Sequence, residues 1–535
     1  MSIFFNYNNP SYLLGQSSCP FSNDPTVSSL KELLIFELKQ IAYYITKLDE
    51  LSIDTKKDQN RIIQIISTIA SNTDLKRSEI NKIIAEVKKE KIHLEKSYMN
   101  ECLTKNIIAQ PLKPNYNLSP EEITIANSIN EGEYQTHLRY KILSEFKKHY
   151  YEIIMNLIEN CSLYLIELDS YGVESPDTKL EVIKLLNITN FPSVTDEKWF
   201  HHINEFVKTN YRIMKKMRDF LRETFSPIEM REIDTSIKKG PAILVSGHFF
   251  RDLVDILNAT ENQGINVYTH NGMILAHSSK LAENYPHLVG HYQRSSIDAV
   301  LDVESFPGPI LMTRNSQINR NIIRGRIFTT NEFPLFGISK IENSDFSEMI
   351  KLAKESMGFT KDIELEKINV GYREDELLEK LNEIISKIKN GEIKRIILID
   401  LFKLYEYKSE YLEKFLEMIP DDYYVISLSY APENKENVWH INSFYSDMVV
   451  YKIVQALKDN IDLNQIGITL LLTQCNMQTI SYILNFKEFG INDIHIGNCC
   501  PLTMSPGLIK GLKEIYGVKY MTSDPAKDFE HILPK

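Results

Sequence analysis

The order of apolar and polar positions divides the chain into two parts with different periods. Through most of the first 235 residues, apolar side chains recur every three or four positions, as they do at Leu30, Leu34, Leu38, Ile41, Ile45 and Leu48. This spacing places the apolar side chains on one face of a helix. A Pro-containing break at 110–122 interrupts the pattern. The sequence therefore predicts two successive helical bundles in residues 1–235.

After residue 235 the pattern changes to short apolar runs, each followed by a polar turn and then a helical stretch. The first series lies at 242–248, 265–271, 309–315 and 326–330, and the second at 394–400, 423–430, 467–475, 493–498 and 518–523. Apolar strands that alternate with helices are typical of parallel sheets buried on both faces. We predict a multidomain α and α/β protein, with two Rossmann-like parallel-sheet domains at 236–365 and 366–535 after the helical bundles.

Charge and composition narrow the classes of function. The formal net charge is −11 at pH 7, which argues against binding nucleic acid or an anionic membrane by bulk attraction. No apolar run approaches the roughly 20 residues that span a bilayer, and we expect no secretory signal. The chain has 6 cysteines, too few for a disulfide scaffold, so a reducing, cytoplasmic location is predicted. A protein partner or an oligomer stays open.

A scan for catalytic and metal-binding motifs is negative. The cysteines occupy positions 19, 102, 161, 475, 499 and 500, so no C-x-x-C pair exists to supply a structural zinc site or a ferredoxin-type cluster. The chain also lacks the glycine-rich nucleotide motifs, H-E-x-x-H and G-x-S-x-G. The candidates for chemistry are therefore the residues that follow the strands, where open α/β sheets bind ligands.

Several of these segments, read together, resemble a known family. VSGH, GINVYTHNGMILAH, YPHLVGHY, FPGPILMTRN and GRIFTT (245–330) are similar in order and spacing to the hybrid cluster protein family, also called prismane proteins or hydroxylamine reductases. The likeness continues through ISLSYA, FGINDIHIGNCCP and MSPGLIKGL. The resemblance implies a helical domain followed by two Rossmann-like domains that hold a hybrid iron–sulfur–oxygen cluster, with a simpler iron–sulfur cluster near the N-terminus. It also implies reduction of hydroxylamine and nitric oxide.

The ligand positions of that family are mostly occupied here by residues that cannot bind a cluster. His248 matches the family's histidine ligand. The other ligand positions fall on Gly272, Ser316, Phe402, Tyr430, Phe444 and Asn476, and only Cys19 remains of the N-terminal cysteine quartet. A cavity costs about 24 cal/mol per Å3, and the three aromatic rings are large enough to fill the space of a lost cluster. We therefore expect no cofactor and a fold kept without its metal chemistry.

Three functions remain open from the sequence. The first is a pseudoenzyme, scaffold or repurposed subunit. The second is an oxidoreductase of the hydroxylamine or nitric oxide reductase type, with an altered iron–sulfur or single-metal site at His248, Cys475 and Cys499. The third is a small-anion binding protein or a non-metal enzyme. The resemblance implies a cleft between the domains, where the family holds its cluster, and we expect further candidate residues there. His270 and His277 orient their loop by hydrogen bonds, and the charges of Arg294 and Arg314 suit a small anion. Asn315 is a further candidate.

Overall fold

The computed structural model describes residues 25–532 apart from several short segments. These segments are 72–74, 114–117, 226–229, 293–298, 315, 317–323, 334, 336, 366, 371–373, 401–409, 428–434, 442–446, 464–465, 473–477, 498–505 and 523. The chain divides into two compact units. One comprises Met1–Met214, Glu332–Phe336 and Thr503–Gly511, and the other comprises Lys215–Asn331, Gly337–Leu502 and Leu512–Lys535.

The first unit is helical. Its helices, of which the last continues into the second unit, are α1 (Pro25–Glu50), α2 (Lys56–Ser71), α3 (Arg77–Thr104), α4 (Ile125–Ile142), α5 (Glu145–Ser170), α6 (Pro176–Ile188) and α7 (Asp196–Thr224). Helix α1 packs against α3, α4 and α6 and buries the apolar stripe that the sequence predicted. The contact between α1 and α3 also contains a buried ion pair, because Lys88 Nζ lies 2.8 Å from Glu37 Oε1 and both side chains are buried. Removing one partner of such a pair costs about 3–5 kcal/mol, because the other charge is left uncompensated.

The second unit contains two parallel sheets, of which the first carries the candidate site. Its strands are β2 (Ala242–Ser246), β3 (Asn266–His270), β4 (Leu288–His291), β5 (Ile310–Met312), β6 (Ile327–Thr329) and β7 (Ser339–Lys340). They pair in the order β4-β3-β2-β5-β6-β7. The helices of this region are α8 (Phe250–Thr260), α9 (Leu281–Asn284), α10 (Ala299–Ser305) and α11 (Ser347–Glu355). All five residues of β2, at the centre of the sheet, are buried.

The second parallel sheet follows a small antiparallel pair of β1 (Arg231–Ile233) and β8 (Ile368–Val370). Its strands are β9 (Arg395–Asp400), β10 (Tyr423–Ser427), β11 (Val438–His440), β12 (Gly467–Leu472), β13 (Asp493–Ile496) and β14 (Lys519–Tyr520), paired in the order β11-β10-β9-β12-β13-β14. The helices are α12 (Glu374–Lys389), α13 (Glu410–Glu417), α14 (Asp447–Asn460), α15 (Gln478–Glu488), α16 (Pro506–Tyr516) and α17 (Pro525–Ile532).

The predicted fold class, a helical N-terminal region followed by two parallel-sheet α/β regions, is confirmed. Each of the nine apolar runs that the sequence marked as strands contains a strand. The boundaries 1–235, 236–365 and 366–535 stay a prediction. In the part of the chain that the structure describes, no helix is both long enough and apolar enough to cross a membrane.

Close packing of backbone against backbone fixes the centre of the first sheet. A Cβ atom at Gly308, just before β5, would overlap the carbonyl oxygen of Ala242 at the start of β2. Gly325, in the same sheet region, has open space around it, with no atom within 4 Å of a Cβ at that position.

We predict that Gly308→Ala lowers the free energy of unfolding by about 1–3 kcal/mol, because the added methyl group forces backbone apart inside a packed sheet. Gly325→Ala is the matched control and changes it by less than about 0.5 kcal/mol. Urea titration followed by circular dichroism measures both. Equal stability of the two variants would contradict the packing described for Gly308.

Candidate functional site

The carboxyl ends of three neighbouring strands meet at one edge of the first sheet. In the register of the sheet, Ser246 at the end of β2 lies beside His270 at the end of β3 and beside Met312 at the end of β5. The segments that follow these strands therefore lie close together, as parallel strands require. Three of the positions carried over from the family's ligand set, residues 248, 272 and 316, belong to these segments.

A glycine and two hydroxyl groups close the turn after β2. Gly247 has a positive φ of 131°. A Cβ at Gly247 would overlap the hydroxyl oxygens of Thr313 and Ser316, so only glycine permits this approach. Thr313 Oγ1 lies 2.9 Å from Ser316 Oγ and accepts the backbone N–H of His248 at 3.2 Å. The hydroxyl of Ser316 thus belongs to the hydrogen bonding of the turn, at a position where the family has a cysteine ligand.

Gly272 lies in direct contact with the His248 segment. A Cβ at Gly272 would stand 3.2 Å from His248 Cβ and 3.1 Å from the carbonyl oxygen of Gly247. Both distances are shorter than ordinary van der Waals contact, so a longer side chain would need the backbone or His248 to shift. The position carried over from a family glutamate therefore lies beside the histidine and holds no carboxylate.

The imidazole of His248 is uncharged at neutral pH. Burial lowers its pKa to about 4, and the positive charge of Arg218 lowers it further in the same direction. The side chain nevertheless keeps an exposed surface. A neutral imidazole is able to accept a proton or bind a metal.

His270 makes hydrogen bonds inside the sheet edge on both sides of its ring. Its Nδ1 lies 2.8 Å from Ser246 Oγ, and its Nε2 lies 3.4 Å from Asp302 Oδ2 on α10. All three side chains are buried. The arrangement has the residue types of a nucleophile, a base and an orienting acid, but the serine is enclosed, so a substrate has no access to it.

His277 is held in a second buried group. Its Nε2 lies 2.8 Å from Thr269 Oγ1, which also contacts Nδ1 of His291 at 2.9 Å. Burial lowers the pKa of His277 to about 4, so this ring is neutral as well. These contacts distinguish His270 and His277 from the exposed His248. That the two residues orient their loop stays a prediction.

Arg314 lies near the same edge and has unused donor capacity. Its guanidinium carbon stands 5.4 Å from the centre of the Phe249 ring. Among the described residues, its buried Nε has no hydrogen-bond partner. Its backbone N–H donates to Asp252 Oδ2 at 2.7 Å, and Thr330 Oγ1 donates to the same oxygen. Burial raises the pKa of Asp252 to about 6.

Sequence reasoning missed Asp252 and Asp302. Each of them is an acidic residue beside apolar positions of the helix that follows a strand, α8 for Asp252 and α10 for Asp302, and this pattern in the sequence could have indicated them. The remaining candidates lie outside the described residues: Arg294, Asn315, Phe402, Tyr430, Phe444, Cys475, Asn476 and Cys499.

Comparisons with known proteins agree with the family resemblance. The model of the Prismane/CO dehydrogenase family matches residues 22–431. A hydroxylamine reductase from Moorella thermoacetica is 30% identical over 397 residues, which cover 70% of this chain and 91% of that protein. A hydroxylamine reductase from Acidiphilium cryptum is 24% identical over 529 residues, which cover 96% of this chain and 94% of that protein.

Two solved structures are also similar. One shows NiZn[Fe4S4] and NiNi[Fe4S4] clusters in the alpha subunits of acetyl-CoA synthase/carbon monoxide dehydrogenase, with a TM-score of 0.48 and 11% identity over 95% of this chain and 82% of that one. The other is carbon monoxide dehydrogenase IV from Carboxydothermus hydrogenoformans, with a TM-score of 0.46 and 13% identity over 93% of this chain and 86% of that one.

The expectation that the chain has no cofactor is wrong. It rested on missing ligand residues alone, and the match to the Prismane/CO dehydrogenase model together with the hydroxylamine reductase relatives overturns it, because that family consists of iron–sulfur proteins. A cofactor of that kind is what the comparisons imply.

The residues that the structure describes do not fit the cluster of the family. Within them, no group of three or more histidine, cysteine, aspartate or glutamate side chains is arranged to hold a metal ion. The sheet edge supplies the imidazole of His248 and the hydroxyl of Ser316, whereas iron–sulfur clusters are held by thiolates. The described cysteines, Cys102 and Cys161, are buried in helices α3 and α5 of the other unit.

We predict that His248 reacts with diethyl pyrocarbonate at pH 5 almost as fast as at pH 7.5. An imidazole with an ordinary pKa near 6.5 is only about 3% neutral at pH 5, whereas one with a pKa of about 4 is about 90% neutral. Peptide mass spectrometry follows the modification, and N-acetylhistidine in the same solution gives the reference rate. A fall in the His248 rate parallel to the reference would contradict the assignment of a neutral imidazole.

Proposed function

Because the chain belongs to the Prismane/CO dehydrogenase family, we propose that it descends from hydroxylamine reductases but no longer carries out their reaction. The protein acts instead as a pseudoenzyme, a scaffold or a repurposed subunit. The observation that carries this proposal is the contact between Gly272 and His248. It places the one retained ligand residue beside a position that has no carboxylate.

The chemistry of the other positions supports the same proposal. A redox cluster needs soft, charged donors, and the thiolates of the family are replaced by a hydroxyl at Ser316 and by side chains without a thiol at 402, 430 and 444. The hydroxyl group of Ser316 is also hydrogen-bonded to that of Thr313. Loss of the reaction without loss of the fold is expected when ligand positions change but the apolar strands stay intact, because those strands provide the stability.

The sequence-based expectations about partners and location are kept within this proposal. A net charge of −11 supports the absence of a nucleic-acid partner, because an acidic surface repels phosphate. The small number of cysteines supports the proposed cytoplasmic location.

A second candidate function is an oxidoreductase with an altered metal centre at His248. It is favoured by the neutral and exposed imidazole, because metal binding requires an unprotonated ring nitrogen. Cys475 and Cys499, its proposed companions, lie outside the described residues.

Anaerobic reduction of hydroxylamine with a reduced dye tests the main proposal. We expect a rate at least about a hundredfold below that of the Moorella thermoacetica relative, assayed beside it after the same treatment with iron and sulfide. His248→Ala should not lower the residual rate further, because no catalytic centre depends on the imidazole. A comparable rate that His248→Ala abolishes would contradict the proposal.

Titration with Co2+ separates the second candidate from the first. A metal centre at His248 would give visible absorption bands that disappear in His248→Ala and persist in the control His201→Ala, which removes an exposed histidine elsewhere. Identical titrations of the wild type and His248→Ala would remove the second candidate.

A further inference from the structure

A cavity of about 950 Å3 lies at the amino-terminal edge of the second sheet. Its wall includes the first residues of four strands: Arg395, Gly467, Asp493 and Lys519. Lys513 of α16 and His531 of α17 complete its charged and polar lining. This edge is opposite to the one at which the strands of an α/β sheet usually present a ligand site, and it belongs to a different sheet from His248.

Asp493 is the centre of a group of donors in this cavity. Its Oδ1 lies 2.7 Å from Lys519 Nζ, and its Oδ2 lies 3.2 Å from Arg395 Nη1. Thr469 Oγ1 donates to Oδ2 at 2.7 Å, and His495 Nε2 lies 3.0 Å from Oδ1. Burial alone would raise the pKa of Asp493, but hydrogen bonds from His495, Lys519 and Thr469 outweigh it and hold the pKa well below its usual range.

The guanidinium of Arg395 is fixed in place by packing. A Cβ at Gly467 would lie 2.6 Å from Arg395 Cζ, so the missing side chain of the glycine makes room for the cation. Arg395 Nη1 also donates to Thr469 Oγ1 at 2.6 Å, and Cζ stands 5.9 Å from the centre of the Tyr423 ring. A guanidinium has five N–H donors, and these two bonds from one nitrogen do not exhaust them.

The lining carries more positive than negative charge. Asp493 is the only acidic residue among those that line the cavity in the described structure, and it is in contact with two cations. Lys513, exposed at the cavity, adds a third. Burial is the main cause that lowers the pKa of the nearby Lys487. The charge of Asp493 raises this pKa, and the charge of Lys519 lowers it. One carboxylate therefore leaves an excess of positive charge facing an open space.

We propose that this cavity binds the phosphate group of a small organic phosphate through Arg395, Lys513 and Lys519. Guanidinium and ammonium donors around one space suit phosphate oxygens, which accept charge-assisted hydrogen bonds. The volume falls in the range of pockets for small organic ligands, about 300–1,000 Å3, and exceeds what a phosphate ion needs. The proposal concerns the second sheet alone and does not depend on the fate of the family's reaction.

Isothermal titration calorimetry with AMP, inorganic phosphate and adenosine tests this site. AMP should bind more tightly than inorganic phosphate, and adenosine should give no heat, because the phosphate group carries the recognition. Lys513→Glu should weaken AMP binding at least tenfold. The matched control Lys361→Glu makes the same change of charge at an exposed lysine outside the cavity and should leave the affinity within twofold.

Two outcomes would overturn the proposal. One is the absence of heat with AMP and with inorganic phosphate at low ionic strength. The other is equal weakening by Lys513→Glu and Lys361→Glu, which would show attraction to overall charge rather than to this cavity. Lys513→Ala serves as a milder second variant, and circular dichroism verifies that each variant is folded.

Discussion

The contact between Gly272 and His248 is the constraint on which the rest of the candidate site depends. Parallel pairing of β2 with β3 and β5 brings the segments after these strands to one edge. Gly247 then leaves room for the hydroxyl groups of Thr313 and Ser316, and Gly272 brings its backbone close to Gly247 and His248. The sheet thus brings together three positions of a ligand set, and of the residues at 248, 272 and 316 only His248 has an imidazole.

The polar groups at this edge separate into two kinds. His270, His277 and His291 are buried and hydrogen-bonded to hydroxyl groups of β2 and β3, so they stabilise this edge of the sheet. Buried polar groups that are fully paired make an edge rigid, because moving one of them breaks several bonds at once. His248 differs because its ring is neutral and its surface is open. Any chemistry at this edge of the first sheet therefore depends on His248, which the hydrogen-bonded strand ends hold in place.

Much of the fold was predictable from the sequence, since buried parallel strands are marked by continuous apolar runs such as Ile396–Ile399. The strands that the sequence did not indicate are very short or pair with a strand far away in the sequence. Strand β7 has two residues, and β1 pairs with β8 more than a hundred positions further along the chain. Within the site, the sequence indicated which strand ends matter but not that His248 is neutral or that Asp252 and Asp302 lie there, because burial and charge depend on tertiary packing. The expectation of no cofactor was wrong because missing ligand residues say little about what a family binds.

The most direct measurement of the central claim is pulsed electron paramagnetic resonance on protein that contains 15N-labelled histidine and has been treated anaerobically with iron and sulfide. We expect the spectra of the wild type and His248→Ala to superimpose, because the proposed loss of the family's reaction means that His248 does not bind the iron of whatever cofactor the chain carries. A 15N coupling to iron that is present in the wild type and absent in His248→Ala would contradict the account.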